Sequence, residues 1–76
     1  MVIYISFSEW FKRFTGGAGE MELNLSTGSA AIDAALAAGI PKSEVGFITV
    51  NDTKVDEGFI LTEGDKLRVY PLMIGG

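Results

Sequence analysis

Cysteine and histidine are both absent from the 76 residues, and proline occurs only twice. Without cysteine no disulfide can staple the fold, and no thiol nucleophile or thiolate metal site can form. Without histidine there is no imidazole base and no Ser-His-Asp triad. Basic residues are also scarce: six Lys/Arg stand against ten Asp/Glu, for a net charge of −4. Phosphate binding relies on clustered Lys and Arg, so this balance argues against a nucleic-acid partner and for a protein partner with a basic surface. No apolar run approaches the ~20 residues of a membrane span, and Met1-Val2-Ile3-Tyr4 lacks the basic segment of a secretory signal. A soluble cytoplasmic protein with no membrane partner is expected.

What is present is a core. Hydrophobic residues make up 47% of the chain, which excludes disorder, and the length leaves room for one domain. Val2 to Phe7 is a β-branched and aromatic run that reads as a strand buried on both faces. Phe7, Phe11 and Phe14 then fall at i, i+4 and i+7, so Ser8 is expected to cap a short helical turn. Thr15-Gly16-Gly17-Ala18-Gly19 is a connector, and Glu20 to Leu25 alternates polar and apolar as a strand with one wet face does. The two strands should form an antiparallel hairpin.

Ser26 to Ser29 offers helix caps ahead of an alanine-rich helix. Ile32, Leu36 and Ile40, with Ala35 beside them, supply its expected apolar stripe, and Gly39 and Pro41 end it. Gly46 to Val50 is a further strand, turned by Asn51-Asp52 into the short segment Thr53-Lys54-Val55. Leu61-Thr62-Glu63-Gly64-Asp65 is a turn before the final strand Lys66 to Tyr70, in which Leu67 and Val69 point inward. The order predicts an α+β roll of β-grasp topology. A mixed sheet of four or five strands carries one main helix across one face, with the first and last strands as a central parallel pair. Residues 1–70 form the domain and 71–76 a flexible tail.

Few segments carry chemistry. Gly16-Gly17-Ala18-Gly19 is followed by Glu20-Met21 and not by the Gly-Lys-Ser/Thr of a phosphate loop, so it reads as a hairpin loop. Glu20, Glu22, Asp52, Asp56 and Glu57 read as solvated surface. Trp10, Phe11 and Phe14 crowd one turn; two can enter the core, leaving the third outside for a partner. The tail is the sharper feature. Pro71 ends the last strand, apolar Leu72, Met73 and Ile74 follow, and Gly75-Gly76 comes last. Six residues reach about 20 Å at most, enough to enter another protein. A diglycine passes a channel too narrow for any side chain.

The stretch Gly39-Ile40-Pro41-Lys42-Ser43-Glu44-Val45-Gly46-Phe47-Ile48-Thr49-Val50-Asn51, the run Leu61-Thr62-Glu63-Gly64-Asp65-Lys66-Leu67-Arg68-Val69-Tyr70-Pro71 and the terminal Gly75-Gly76 resemble the MoaD/ThiS family of ubiquitin-like sulfur carriers. The Leu-x-x-Gly-Asp turn before a final strand, then proline and diglycine, is the specific part. The Ser8 to Gly19 insertion and Pro71 make the chain more similar to the molybdopterin synthase small subunit than to the thiamine carrier, although Leu72 stands where that branch often has a second proline.

The resemblance implies a carrier or co-substrate and not an enzyme, with no cofactor of its own. At neutral pH the α-carboxyl of Gly76 is ionised and a poor electrophile. By the resemblance, a ubiquitin-activating-type adenylyltransferase uses ATP and magnesium to make it an acyl-adenylate. A sulfur donor displaces AMP, and the resulting thiocarboxylate serves an acceptor synthase such as a molybdopterin synthase large subunit. Pro71, Leu72, Met73, Ile74 and Gly75 are the implied partner-binding residues. Other destinations are the thiazole of thiamine, a thiolated tRNA base or cysteine. A ubiquitin-like protein modifier and a plain binding module are the alternatives of a different class.

Overall fold

Alternation of apolar and polar residues turns directly into a one-sided sheet in the computed structural model, which describes residues 1–72. Strands β1 (Val2–Phe7), β2 (Glu20–Asn24), β3 (Val45–Val50), β4 (Thr53–Val55) and β5 (Lys66–Pro71) form one sheet in the order β2-β1-β5-β3-β4. β1 pairs with β2 antiparallel, Tyr4 opposite Glu22, and with β5 parallel, Tyr4 opposite Lys66. The parallel pair is central, as expected. β3 is antiparallel to both β5 and β4. Ile3, Ile5, Phe7, Ile48, Val50, Leu67 and Val69 point to the covered face and are buried. Each such side chain contributes about 1.5–3 kcal/mol relative to exposure.

The helix α1 (Ala31–Ala37) covers that face alone, and this corrects the expectation for β1. The strand is buried on one face only: Tyr4 is 44% exposed, because no second layer lies across the other side. A second correction concerns the helix itself. Its buried face is Ala31, Ala34, Ala35 and, at the end, Ala38, spaced i, i+3, i+4 and i+7, whereas Leu36 is 48% exposed and Ile32 half-buried. Methyl side chains let the helix axis lie close to the bulky Ile and Val layer of the sheet. Ile40 is buried, but beyond the helix end.

The caps also differ from expectation. Ala30 is the N-cap residue, and Asp33 Oδ2 accepts its N–H at 2.8 Å. The next orphan donors, Ala31 and Ile32 N–H, donate to the carbonyls of Phe59 and Glu57. Ser29 Oγ instead donates to Ser26 O. The aromatic turn is a 3-10 helix, Glu9–Arg13, and Ser8 makes no side-chain cap; its buried Oγ has no partner. Phe11 is fully buried and Phe14 packs at the core edge. Trp10 stays outside, with the Arg13 guanidinium 4.1 Å over its ring.

The turn before β5 is held by one carboxylate. Asp65 is buried; its Oδ2 accepts Thr62 N–H at 2.8 Å, and its Oδ1 accepts Thr62 Oγ1 and Asn51 Nδ2, both at 3.1 Å. Asn51 and Asp52 adopt positive φ of 50° and 70°, the left-handed pair that a tight hairpin turn requires. Asn51 Oδ1 accepts Lys66 N–H, while Asn51 N–H donates to Lys66 O. The Leu-x-x-Gly-Asp stretch therefore ties the start of β5 to the β3–β4 hairpin. Among the described residues no helix is long and apolar enough to cross a membrane.

Candidate functional site

The site is built where β5 ends. Its last residue is Pro71, paired with Val45, so the sheet runs one residue further than the boundary expected at Tyr70. Proline lacks an N–H but is tolerated at a strand end, where no further ladder bond is needed. The β3 register shifts between Val45 and Phe47, leaving Gly46 as a bulge against β5. A side chain at Gly46 would meet the Pro71 carbonyl oxygen, and its Cβ would lie 2.7 Å from Pro71 C and 2.9 Å from Leu72 N. Only glycine fits this approach. One residue on, Leu72 N–H donates to Glu44 O at 3.3 Å. The chain therefore leaves the sheet at a point clamped by backbone, and Leu72 beyond it is 52% exposed.

Beside that exit lies the uncovered face of the sheet. Phe47 and Tyr70 sit opposite each other on β3 and β5, with ring centroids 4.4 Å apart and planes 8° from parallel. Lys54 Nζ lies 5.2 Å from the Phe47 ring and Arg68 Cζ lies 5.5 Å from the Tyr70 ring. Arg68 Nη1 also donates to Ser6 Oγ at 3.4 Å. Two cross-strand rows span the face. One runs Glu22, Tyr4, Lys66; the other runs Glu20, Ser6, Arg68, Thr49, Lys54. Between β2 and β5 the small Ser6 leaves a shallow depression of ≈ 480 Å³, rimmed by Tyr4, Glu20, Glu22 and Lys66.

Of the six site residues expected from sequence, the structure describes Pro71 and Leu72, bringing both to the clamped end of β5. Met73, Ile74, Gly75 and Gly76 lie outside the described residues. Glu20 and Glu22 are exposed, as expected of a wet strand face. Sequence reasoning missed Phe47, Tyr70, Lys54 and Arg68. The signal was alternation: Ile48 and Val50 inward require Phe47 and Thr49 outward on β3. That Phe47 would meet Tyr70 depends on the β3–β5 register, which no local pattern contains.

The profile of the family described as Mut7-C ubiquitin matches residues 4–74. Among curated proteins none matches the sequence. Several solved structures share the fold. SAMP1 from Haloferax volcanii is 13% identical with a TM-score of 0.74, and the match covers 100% of both chains. A Pyrococcus furiosus protein described as molybdopterin converting factor, subunit 1, is 22% identical with a TM-score of 0.76, covering 96% of this chain and 99% of that one. A second structure of the H. volcanii small archaeal modifier protein 1 is 11% identical with a TM-score of 0.73, covering 95% and 98%. At such identities the likeness establishes the ubiquitin-like β-grasp fold.

Proposed function

The chain belongs to the Mut7-C ubiquitin family and has the ubiquitin-like β-grasp fold, and from that premise we propose that it is not an enzyme but a cytoplasmic sulfur carrier acting through the α-carboxyl of Gly76. The observation that carries the reading is the clamped end of β5. It presents exposed Leu72 at a defined point on a rigid sheet, and the sequence continues from there through Met73 and Ile74 to Gly75-Gly76. Apolar side chains after the clamp suit burial in a partner's channel, and the paired glycines suit close approach to its reacting centre.

The chemistry would belong to the partners. A carboxylate oxygen of Gly76 attacks the α-phosphorus of ATP in an adenylyltransferase that supplies the magnesium, and pyrophosphate leaves. A hydrosulfide-equivalent nucleophile from a sulfur donor then adds to the acyl carbon and expels AMP, leaving a thiocarboxylate. The destination that best suits the likeness to a molybdopterin converting factor subunit is a synthase that builds the molybdenum or tungsten cofactor. Thiazole, tRNA and cysteine pathways would use the same terminus. The fold shared with small archaeal modifier protein 1 supports a second reading, in which Gly76 forms isopeptide bonds with lysines.

Pyrophosphate exchange tests the reading. With the activating enzyme, ATP and magnesium, the intact chain should support exchange, and the chain lacking Gly75-Gly76 should support none while melting at the same temperature. Equal exchange from both would contradict a terminal site. A ladder of lysine-linked conjugates without sulfur transfer would favour the modifier.

A further inference from the structure

The net charge of −4 suggests a basic partner, yet the charges are not spread evenly. Lys54, Lys66 and Arg68 are three of the six Lys/Arg, and all three lie on the uncovered sheet face, Lys66 at the start of β5 and Arg68 and Lys54 in the row midway along it. Both carboxylates of that face, Glu20 and Glu22, sit on the far edge strand β2. Two strand spacings, about 10 Å, separate Glu22 from Lys66 along their row. The acidic and basic sides therefore do not neutralise each other: among the described residues the only ion pair is Lys12–Glu9, on the 3-10 turn.

From this polarity we infer that the uncovered face docks a folded protein bearing an acidic patch with apolar neighbours. Its carboxylates lie over Lys54, Lys66 and Arg68, and its apolar atoms lie against Phe47, Tyr70 and Leu72. The inference rests on the carrier reading in one respect only, that the docked protein is the one that receives the terminus. Charge complementarity across this face would set the docking direction, because the Glu20 and Glu22 edge repels an acidic surface placed the wrong way round. The same features disfavour nucleic acid. Phe47 and Tyr70 each spend one ring face on the other and have a cation near them, leaving poor platforms for a base, and the β2 carboxylates repel a phosphate chain.

The test is an amide-resolved NMR titration of the full chain with three probes: a peptide alternating Glu and Leu, its Lys and Leu counterpart, and a short oligouridine. The acidic peptide should shift the signals of Phe47, Lys54, Lys66, Arg68 and Tyr70, and the basic peptide those of Glu20 and Glu22. The double variant Lys66→Glu, Arg68→Glu should keep the fold, read from unshifted core signals, and weaken the acidic peptide by about tenfold or more. Should that variant be misfolded, Lys54→Glu alone gives the same reading with a smaller loss. Equal affinity of the acidic peptide for wild type and variant, no shifts on this face, or tighter binding of oligouridine would each overturn the inference. The titration contains neither ATP nor a sulfur donor, so its failure and a failure of terminal activation are separate results.

Discussion

Replacing Gly46 with alanine is expected to lower stability by about 2 kcal/mol and to impair activation of the terminus by more than the stability loss explains. The added Cβ would stand 2.7 Å from Pro71 C and 2.9 Å from Leu72 N, with the Pro71 carbonyl oxygen closer still. Every one of these is a backbone atom, so no side chain can rotate away. The strands must part at the bulge, and the Leu72 N–H bond to Glu44 O at 3.3 Å is the first to go. Lost pairing and backbone displacement of this kind cost about 1–3 kcal/mol. Thermal melting measures the first effect. Pyrophosphate exchange, assayed well below the melting temperature, measures the second. Wild-type exchange from a destabilised variant would show that the position of the exit is unimportant.

Gly39→Ala should be the most destabilising single-methyl change in the chain. Gly39 has φ +100°, a region that costs a side-chain-bearing residue about 1–3 kcal/mol. It closes α1 as the left-handed residue of a Schellman cap: Gly39 N–H donates to Leu36 O, and Ile40 N–H donates to Ala35 O, both at 3.0 Å. An added Cβ would also stand 2.5 Å from the Phe14 carbonyl oxygen, driving the helix end away from the aromatic turn that holds Phe11. Strain and displacement together should remove about 3 kcal/mol. For a domain of this size that lowers the melting temperature by roughly 12 °C or more. A shift below a few degrees would show that the aromatic turn moves freely and does not buttress the helix.

How much of this was legible in the residues depends on the range of the interaction involved. Local patterns report the strands, the hairpin, and Gly39 as helix stop, because alternation and caps are properties of neighbours. The central parallel pair was also legible, since one helical crossover leaves the first and last strands few other places to lie. The buried helix face was misread. Ile32 and Leu36 dominate any hydrophobicity count, yet the alanines at 31, 34, 35 and 38 face the sheet, because close packing there favours small volume over large apolar area. Burial of β1 on both faces was inferred from its composition, whereas exposure of Tyr4 depends on how many layers the whole fold supplies. Locally Gly46 is an ordinary start of a strand; its contact with Pro71 is long-range and invisible in the neighbouring residues. The site divides the same way. Pro71 and Leu72 are marked by their place after an alternating strand, but the Phe47–Tyr70 stack and the gathering of Lys54, Lys66 and Arg68 require the register of β3, β4 and β5.

These elements form one physical sequence. The Asp65 carboxylate and Asn51 set the start of β5, the central position of β5 makes it rigid, and the Gly46 bulge fixes where it ends. A chain with neither cysteine nor histidine suits the proposed reaction, in which partners would supply every catalytic group and this chain only a main-chain carboxyl. Intact-mass measurement of the protein after incubation with its activating enzyme, ATP, magnesium and a sulfide source tests that claim most directly. A carrier should gain the mass of a single oxygen-to-sulfur exchange, located at Gly76 by fragmentation. An unchanged mass under conditions where ATP is turned over, or sulfur found at any other residue, would contradict it.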